Sequence, residues 1–145
     1  MRKIKWYGIL FAVYIFFLYI MGTYDIFMML SHNVQYYASK GYGEAVVNYF
    51  TDYPLYLLVF WIINLAGGLI SPMLCLLKNK HSSTVAIVSA VADLILIVLG
   101  VAFRDRLNVL GVEIFCFDLL ILISTFLFGI YLYKVNGRKC IRRCH

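Results

Sequence analysis

Charge is scarce in this chain. Asp, Glu, Lys and Arg make up 14% of its 145 residues, whereas 63% are hydrophobic, and the mean hydropathy is +0.86. Soluble domains run at about a quarter charged and about half apolar. A water-soluble fold of this length could not hide so much apolar surface, so lipid must be the solvent for much of it. Strand-like alternation of polar and apolar residues is absent, which excludes a transmembrane β-barrel. The four cysteines form no C-x-x-C pair, which argues against a thiol–disulfide enzyme. Cys75 and Cys116 fall inside apolar runs and read as small buried hydrophobes. There is no glycine-rich phosphate loop, no His–Glu pairing of the zinc-protease kind, and no Ser, His and Asp set. An enzyme would have to work with carboxylates alone. The expectation is therefore a non-enzymatic protein without catalytic residues, cofactor or metal.

Four runs are long and apolar enough to cross a bilayer as helices, which needs about 20 residues each. They cover about 7–30, 54–77, 83–103 and 111–133, within a single domain of 1–145 that ends in a basic tail over 134–145. The first run follows Arg2, Lys3 and Lys5, as a signal peptide would. It is longer than a signal core and no small-residue cleavage site follows it, so it is expected to be retained.

The net charge of +6 comes from basic residues at the ends of these runs, not from a polar face, so it reads as a topology signal and not as a nucleic-acid surface. Arg2, Lys3, Lys5, Lys78, Lys80, Lys134, Arg138, Lys139, Arg142 and Arg143 fall on one side. Lys40, Arg104 and Arg106 fall on the other. The richer side should be cytoplasmic, which gives an all-α, four-helix transmembrane bundle with both termini inside. Trp6, Tyr7, Tyr131 and Tyr133 mark the inner interface, and Tyr36, Tyr37, Tyr53 and Tyr56 the outer one.

The one long connection, 31–53, faces outward in this reading. Tyr42, Val46, Tyr49, Phe50 and Tyr53 recur there at helical spacing, which predicts a short amphipathic helix lying on the outer leaflet. Asp52 would cap the second span and Pro54 would open it. Helices in lipid associate through small residues. Asn64, Gly67, Gly68, Ser71 and Cys75 form one such stripe, and Ala86, Ser89, Ala90, Asp93, Ile97 and Gly100 another. The two are expected to meet. Pro72 should bend the second span or act as a hinge.

The chemistry, if any, lies in carboxylates at membrane depth, which are costly and usually face the bundle interior or water. At 1.5 Å per helical residue, Glu113 lies roughly 3 Å and Asp25 roughly 7 Å below the outer end of its span. Asp118 lies roughly 10 Å and Asp93 roughly 15 Å deep, with Asn64 near the level of Asp93. On this reckoning no cation reaches Asp93 or Asp118, and Arg104 and Arg106 pair with Glu113 at the outer rim. Asp93, Asp118, Asn64 and Asp25 form the candidate polar site. Either they hold a proton or cation for a coupled carrier, or they fix helix packing through hydrogen bonds. His32 and His81 read as lone interfacial and solvated side chains. Cys140, Cys144 and His145 lack a fourth metal ligand, and the tail's Lys and Arg suit anionic headgroups.

Met21-Gly22-Thr23-Tyr24-Asp25, Tyr53-Pro54-Leu55-Tyr56, Gly67-Gly68 and Leu76-Leu77-Lys78-Asn79-Lys80 together carry a resemblance. The chain resembles small bacterial inner-membrane proteins of four helices, mostly uncharacterised, some with a loose sugar-transporter label. The resemblance implies a multi-pass protein of the cytoplasmic membrane. It carries over no functional residue, and the chain departs from the pattern by having Asp93 where a neutral polar residue is expected. Two functions follow as expectations. One is an accessory protein whose exposed small-residue stripe binds a second copy or a larger membrane partner. The other is a proton- or cation-coupled solute carrier, working as an oligomer through Asp93.

Overall fold

The computed structural model describes residues 5–141, so Arg2, Lys3, Arg142, Arg143, Cys144 and His145 lie outside it. The order of elements is α1 (Trp6–Leu30), α2 (Val34–Lys40), α3 (Glu44–Thr51), α4 (Leu55–Leu76), α5 (Ser82–Arg104) and α6 (Arg106–Ile141), with no strand among the described residues. Four of the helices, α1, α4, α5 and the Arg106–Asn136 part of α6, are long and apolar enough to cross a membrane. The first three coincide with the first three apolar runs to within a residue at each end. They form because apolar residues dominate them, leucine, isoleucine and phenylalanine in α1 and α4 and valine and alanine in α5, and a chain in lipid must satisfy its own backbone groups. The fourth departs from its run at both ends. It stays helical as far as Ile141, inside the stretch expected as a tail.

The helices pack as neighbours in the order α1, α4, α5, α6, with a looser α1–α6 contact closing the set. The expected meeting of small residues occurs, but they divide between two partners. A Cβ on Gly67 would stand 2.8 Å from Ser89 Cβ on α5, whereas one on Gly68 would stand 2.0 Å from the Tyr19 ring on α1. Gly68, Ser71, Ala86 and Ala90 are buried within the chain. The stripe is therefore not an exposed surface awaiting a partner. Pro72 is buried inside α4 as well.

The 31–53 connection departs most from expectation. It contains two helices, not one. Asn33 caps α2 by accepting from the Tyr36 backbone N–H at 2.9 Å, and Gly41 ends it in the left-handed region, φ 68°. The apolar stripe of α3 faces protein instead of lipid. Val46, Tyr49 and Phe50 are buried in one cluster with Met29, Tyr36, Tyr37 and Leu110, against Trp61 and Ile114. The two short helices thus close one end of the bundle, here the cap end. Asp52 ends α3 and does not cap α4; Pro54 occupies that position, with no side-chain cap.

Gly111 breaks α6, with φ 85° and ψ 165°. That conformation is open to glycine and strained for any residue with a Cβ. The single turn before it, 106–110, ends at Leu110, which is buried in the same cluster as α3. A Cβ on Gly111 would meet nothing within 4 Å, so a substitution there tests the backbone alone. Gly111→Ala should lower stability by about 1–3 kcal/mol, read as a fall in the detergent unfolding midpoint. An unchanged midpoint would mean that the break is not required.

Candidate functional site

Tyr19 is the centre of the buried polar groups. Its side chain, 1% exposed, comes from the middle of α1 and ends among residues of three other helices. Its hydroxyl donates to Asn64 Oδ1 at 2.9 Å and lies 3.2 Å from Ser89 Oγ and 2.9 Å from Thr125 Oγ1. Ser89 Oγ lies 2.7 Å from the Asn64 carbonyl oxygen and 3.0 Å from Asn64 Oδ1. Asn64 then donates through Nδ2 to Asp93 Oδ1 at 2.8 Å. The small side chains of α5 let these groups approach, since Ser89 stands one helical turn from Asp93 on the same face. Asp93 is 5% exposed, and its second oxygen, Oδ2, has no hydrogen-bond partner among the described residues.

A second polar group stands nearer the cap end. Arg106 donates to Asp118 Oδ2 from Nε at 3.1 Å and from a terminal nitrogen at 2.7 Å. Its side chain is 4% exposed, its guanidinium lies 5.6 Å from the Trp61 ring centre, and Gly100 leaves room for its Cδ. This corrects the expectation that no cation reaches Asp118. On an unbroken helix twelve residues separate the pair by about 18 Å. The break at Gly111 removes that separation. Glu113 is left exposed without an ion-pair partner among the described residues. Arg104 turns elsewhere, donating to the Tyr49 carbonyl at 2.5 Å with its guanidinium over the Tyr49 ring. The expected outer-rim pairing of Glu113 with Arg104 and Arg106 therefore does not form.

Asp25 accepts a hydrogen bond from the Tyr36 hydroxyl, which ties α2 to α1. Burial, and then the Asp25 carboxylate, hold the Tyr36 phenol above its ordinary pKa. Burial raises Tyr42 as well, with smaller contributions from Asp25 and Glu113.

One cavity of about 680 Å³ joins these groups. Tyr19, Asn64 and Asp93 line it, as do Arg106 and Asp118, and Asp25, Lys40, Tyr42 and Glu113 contribute from the cap end. Its charged lining consists of four carboxylates and two cations. The rest is apolar and aromatic, including Met21, Leu65, Leu96, Phe50, Trp61 and Phe117. Its shape follows from the way α1 and α6 meet. Toward the opposite end their rings touch, Tyr7 on Tyr131 at 6.0 Å and Phe11 on Phe128 at 5.1 Å. From Leu18 and Ile121 toward the cap, both helices line the cavity instead.

The structure thus brings Asp93, Asn64, Asp118 and Asp25 to one cavity, in two separate hydrogen-bonded groups and one outlying contact. Sequence reasoning missed Tyr19, Thr125 and the role of Trp61. A signal existed for Tyr19, because a hydroxyl in mid-span must find a partner. Tyr14, which is exposed on the same helix, shows why that signal is not decisive. No family model, curated protein or solved structure matches the chain.

Proposed function

We propose that this is a small, non-enzymatic carrier of the cytoplasmic membrane, in which Asp93 exchanges a proton for a cation. The observation that carries this reading is the position of Asp93. It is a mid-helix carboxylate, hydrogen-bonded to Asn64, that belongs to the lining of a cavity that also takes in residues of the cap end. Ligand cavities commonly measure about 300–1,000 Å³, and this one falls in that range.

The distribution of Lys and Arg favours both termini in the cytoplasm, with the cap on the outer face of a bacterial membrane. The cavity then opens outward. Below Tyr19 the helices are closed by the cluster of Ala12, Ile15, Cys75, Ala86, Phe128 and Leu132. The inner half of a pathway therefore needs either movement of these helices or a second copy of the chain. The accessory reading loses its main support because the small-residue stripe is used internally.

The test uses full-length protein in liposomes that hold an internal pH dye. External monovalent cations, sodium or potassium first, should drive proton movement through the wild type. Asp93→Asn should abolish that movement and retain wild-type helicity, since an amide can still accept from Asn64. Asp93→Leu should lose stability too, because it leaves Asn64 Nδ2 unpaired. If Asp93→Asn moves protons as the wild type does and only Asp93→Leu is defective, Asp93 is a packing residue and the carrier reading fails.

A further inference from the structure

The cavity has an open side, and the exposure of its lining shows which. The residues that α4 and α5 contribute, among them Asn64, Asp93, Leu96 and Ile97, are buried, as is Phe50 of the cap. Those from α1 and α6 include Met21, 45% exposed, and Phe117, 39% exposed. The ring contacts between these two helices lie toward the other end, at Tyr7 with Tyr131 and Phe11 with Phe128. Nearer the cap α1 and α6 part, and the gap between them is a slot in the side of the bundle. Two membrane-spanning helices bound it, so over most of its length it faces acyl chains and not water.

The slot is as long as one leaflet is deep. Leu18, at its floor, lies roughly 18 Å from the cap-side end of α1 at Leu30, and Ile121 roughly 15 Å from the break at Gly111. Half of a bilayer's hydrocarbon core is about 15 Å. Gly22 gives the slot width. A Cβ there would meet nothing nearer than Leu65 at 3.9 Å, so the α1 wall is hollow at that point.

The cap end of the slot carries charge of both signs. Lys40 Nζ lies 5.6 Å from the Tyr36 ring centre, and the Tyr36 hydroxyl donates to Asp25. One tyrosine thus holds a cation and a carboxylate side by side. Glu113 adds a second carboxylate from α6, exposed and without an ion-pair partner among the described residues. Two carboxylates and one ammonium suit a headgroup that has a cation as well as a phosphate. A headgroup with net negative charge would meet an excess of like charge.

We propose that the slot holds one phospholipid of the cap-side leaflet, of the phosphatidylethanolamine class. One acyl chain lies between α1 and α6, the ammonium sits at Asp25 and Glu113, and the phosphate sits at Lys40. The chain supplies the wall that the two helices leave open, and the cap end remains the way in for water and ions. This goes beyond the carrier reading and rests on the shape and rim of the cavity, not on proton exchange at Asp93.

The test is native mass spectrometry of the full chain released from maltoside micelles, with phosphatidylethanolamine or phosphatidylglycerol of identical acyl chains added. One phosphatidylethanolamine per chain should stay bound, and phosphatidylglycerol should bind at least about fivefold more weakly. Gly22→Phe fills the slot from α1 and should lose the bound lipid while keeping wild-type helicity. Glu113→Lys changes an exposed side chain and should turn the preference toward phosphatidylglycerol, which decides the matter even where Gly22→Phe does not fold. Equal binding of the two lipids by the wild type, an unaltered preference in Glu113→Lys, or undiminished binding by a folded Gly22→Phe variant would overturn the proposal.

Discussion

Replacing Arg106 with alanine should destabilise the protein by about 3–5 kcal/mol, read from unfolding of the full chain in detergent. The size follows from what stays behind. Arg106 gives two hydrogen bonds to Asp118 Oδ2 and is 4% exposed, so its loss strands a carboxylate whose side chain is only 18% exposed. Coulomb attraction and desolvation nearly cancel while the pair is intact, and only the penalty remains once it is broken. Asp118→Leu should be comparably damaging, because it strands the guanidinium instead. The double variant Arg106→Met with Asp118→Leu removes both charges and should recover most of the loss. If the single and double variants are equally unstable, packing of the arginine stem on Trp61 matters and the ion pair does not. A single-variant loss below about 1 kcal/mol would mean that the pair is solvated, as surface pairs are.

Gly68→Ala is the second substitution with a large expected effect, about 3 kcal/mol or more. An added Cβ would stand 2.0 Å from the Tyr19 ring, a side chain that is 1% exposed and has no room to swing. Overpacking alone costs about 1–3 kcal/mol. Displacing the ring also pulls its hydroxyl from Asn64, Ser89 and Thr125, at about 0.5–1.5 kcal/mol per bond lost. The two contributions can be separated by a double-mutant cycle. Tyr19→Phe, which loses the same three bonds, should cost about 1.5–4.5 kcal/mol alone and much less in the Gly68→Ala background, where those bonds are already broken. Strict additivity would show that the ring keeps its place and that α4 has moved instead.

The legible parts of this fold are those that lipid dictates. A run of about 20 apolar residues has few alternatives to a spanning helix. That is why the ends of α1, α4 and α5 could be read to a residue. The cap was not legible, because the stripe of Tyr42, Val46, Tyr49, Phe50 and Tyr53 suits a protein core as well as it suits a leaflet. Nothing in a single sequence distinguishes one apolar partner from the other.

The site was legible in part. Asp93 and Asn64 were found from depth, since the rise per residue is fixed along an unbroken helix. The same reckoning failed at Arg106, where one glycine with φ 85° breaks the helix between Arg106 and Asp118. Gly111 marked the start of the fourth run in the sequence, but its dihedral angles had no sequence signature. Tyr19 was hidden for another reason. With 12 tyrosines in the chain, most of them plausible at an interface, one in mid-span did not stand out.

Chemical access to position 93 tests the central claim most directly. In a full-length chain whose four native cysteines are replaced by alanine, Asp93→Cys can be challenged in intact cells with a small, membrane-impermeant thiol reagent. An outward-opening cavity that reaches Asp93 predicts modification from outside, at a rate between those of a buried and a surface thiol. Restoring Cys75 instead, which is fully buried in the lower core, should give no reaction. If position 93 is as inert as Cys75, or reacts only in inside-out vesicles, the carboxylate does not face an outward cavity and the account is wrong.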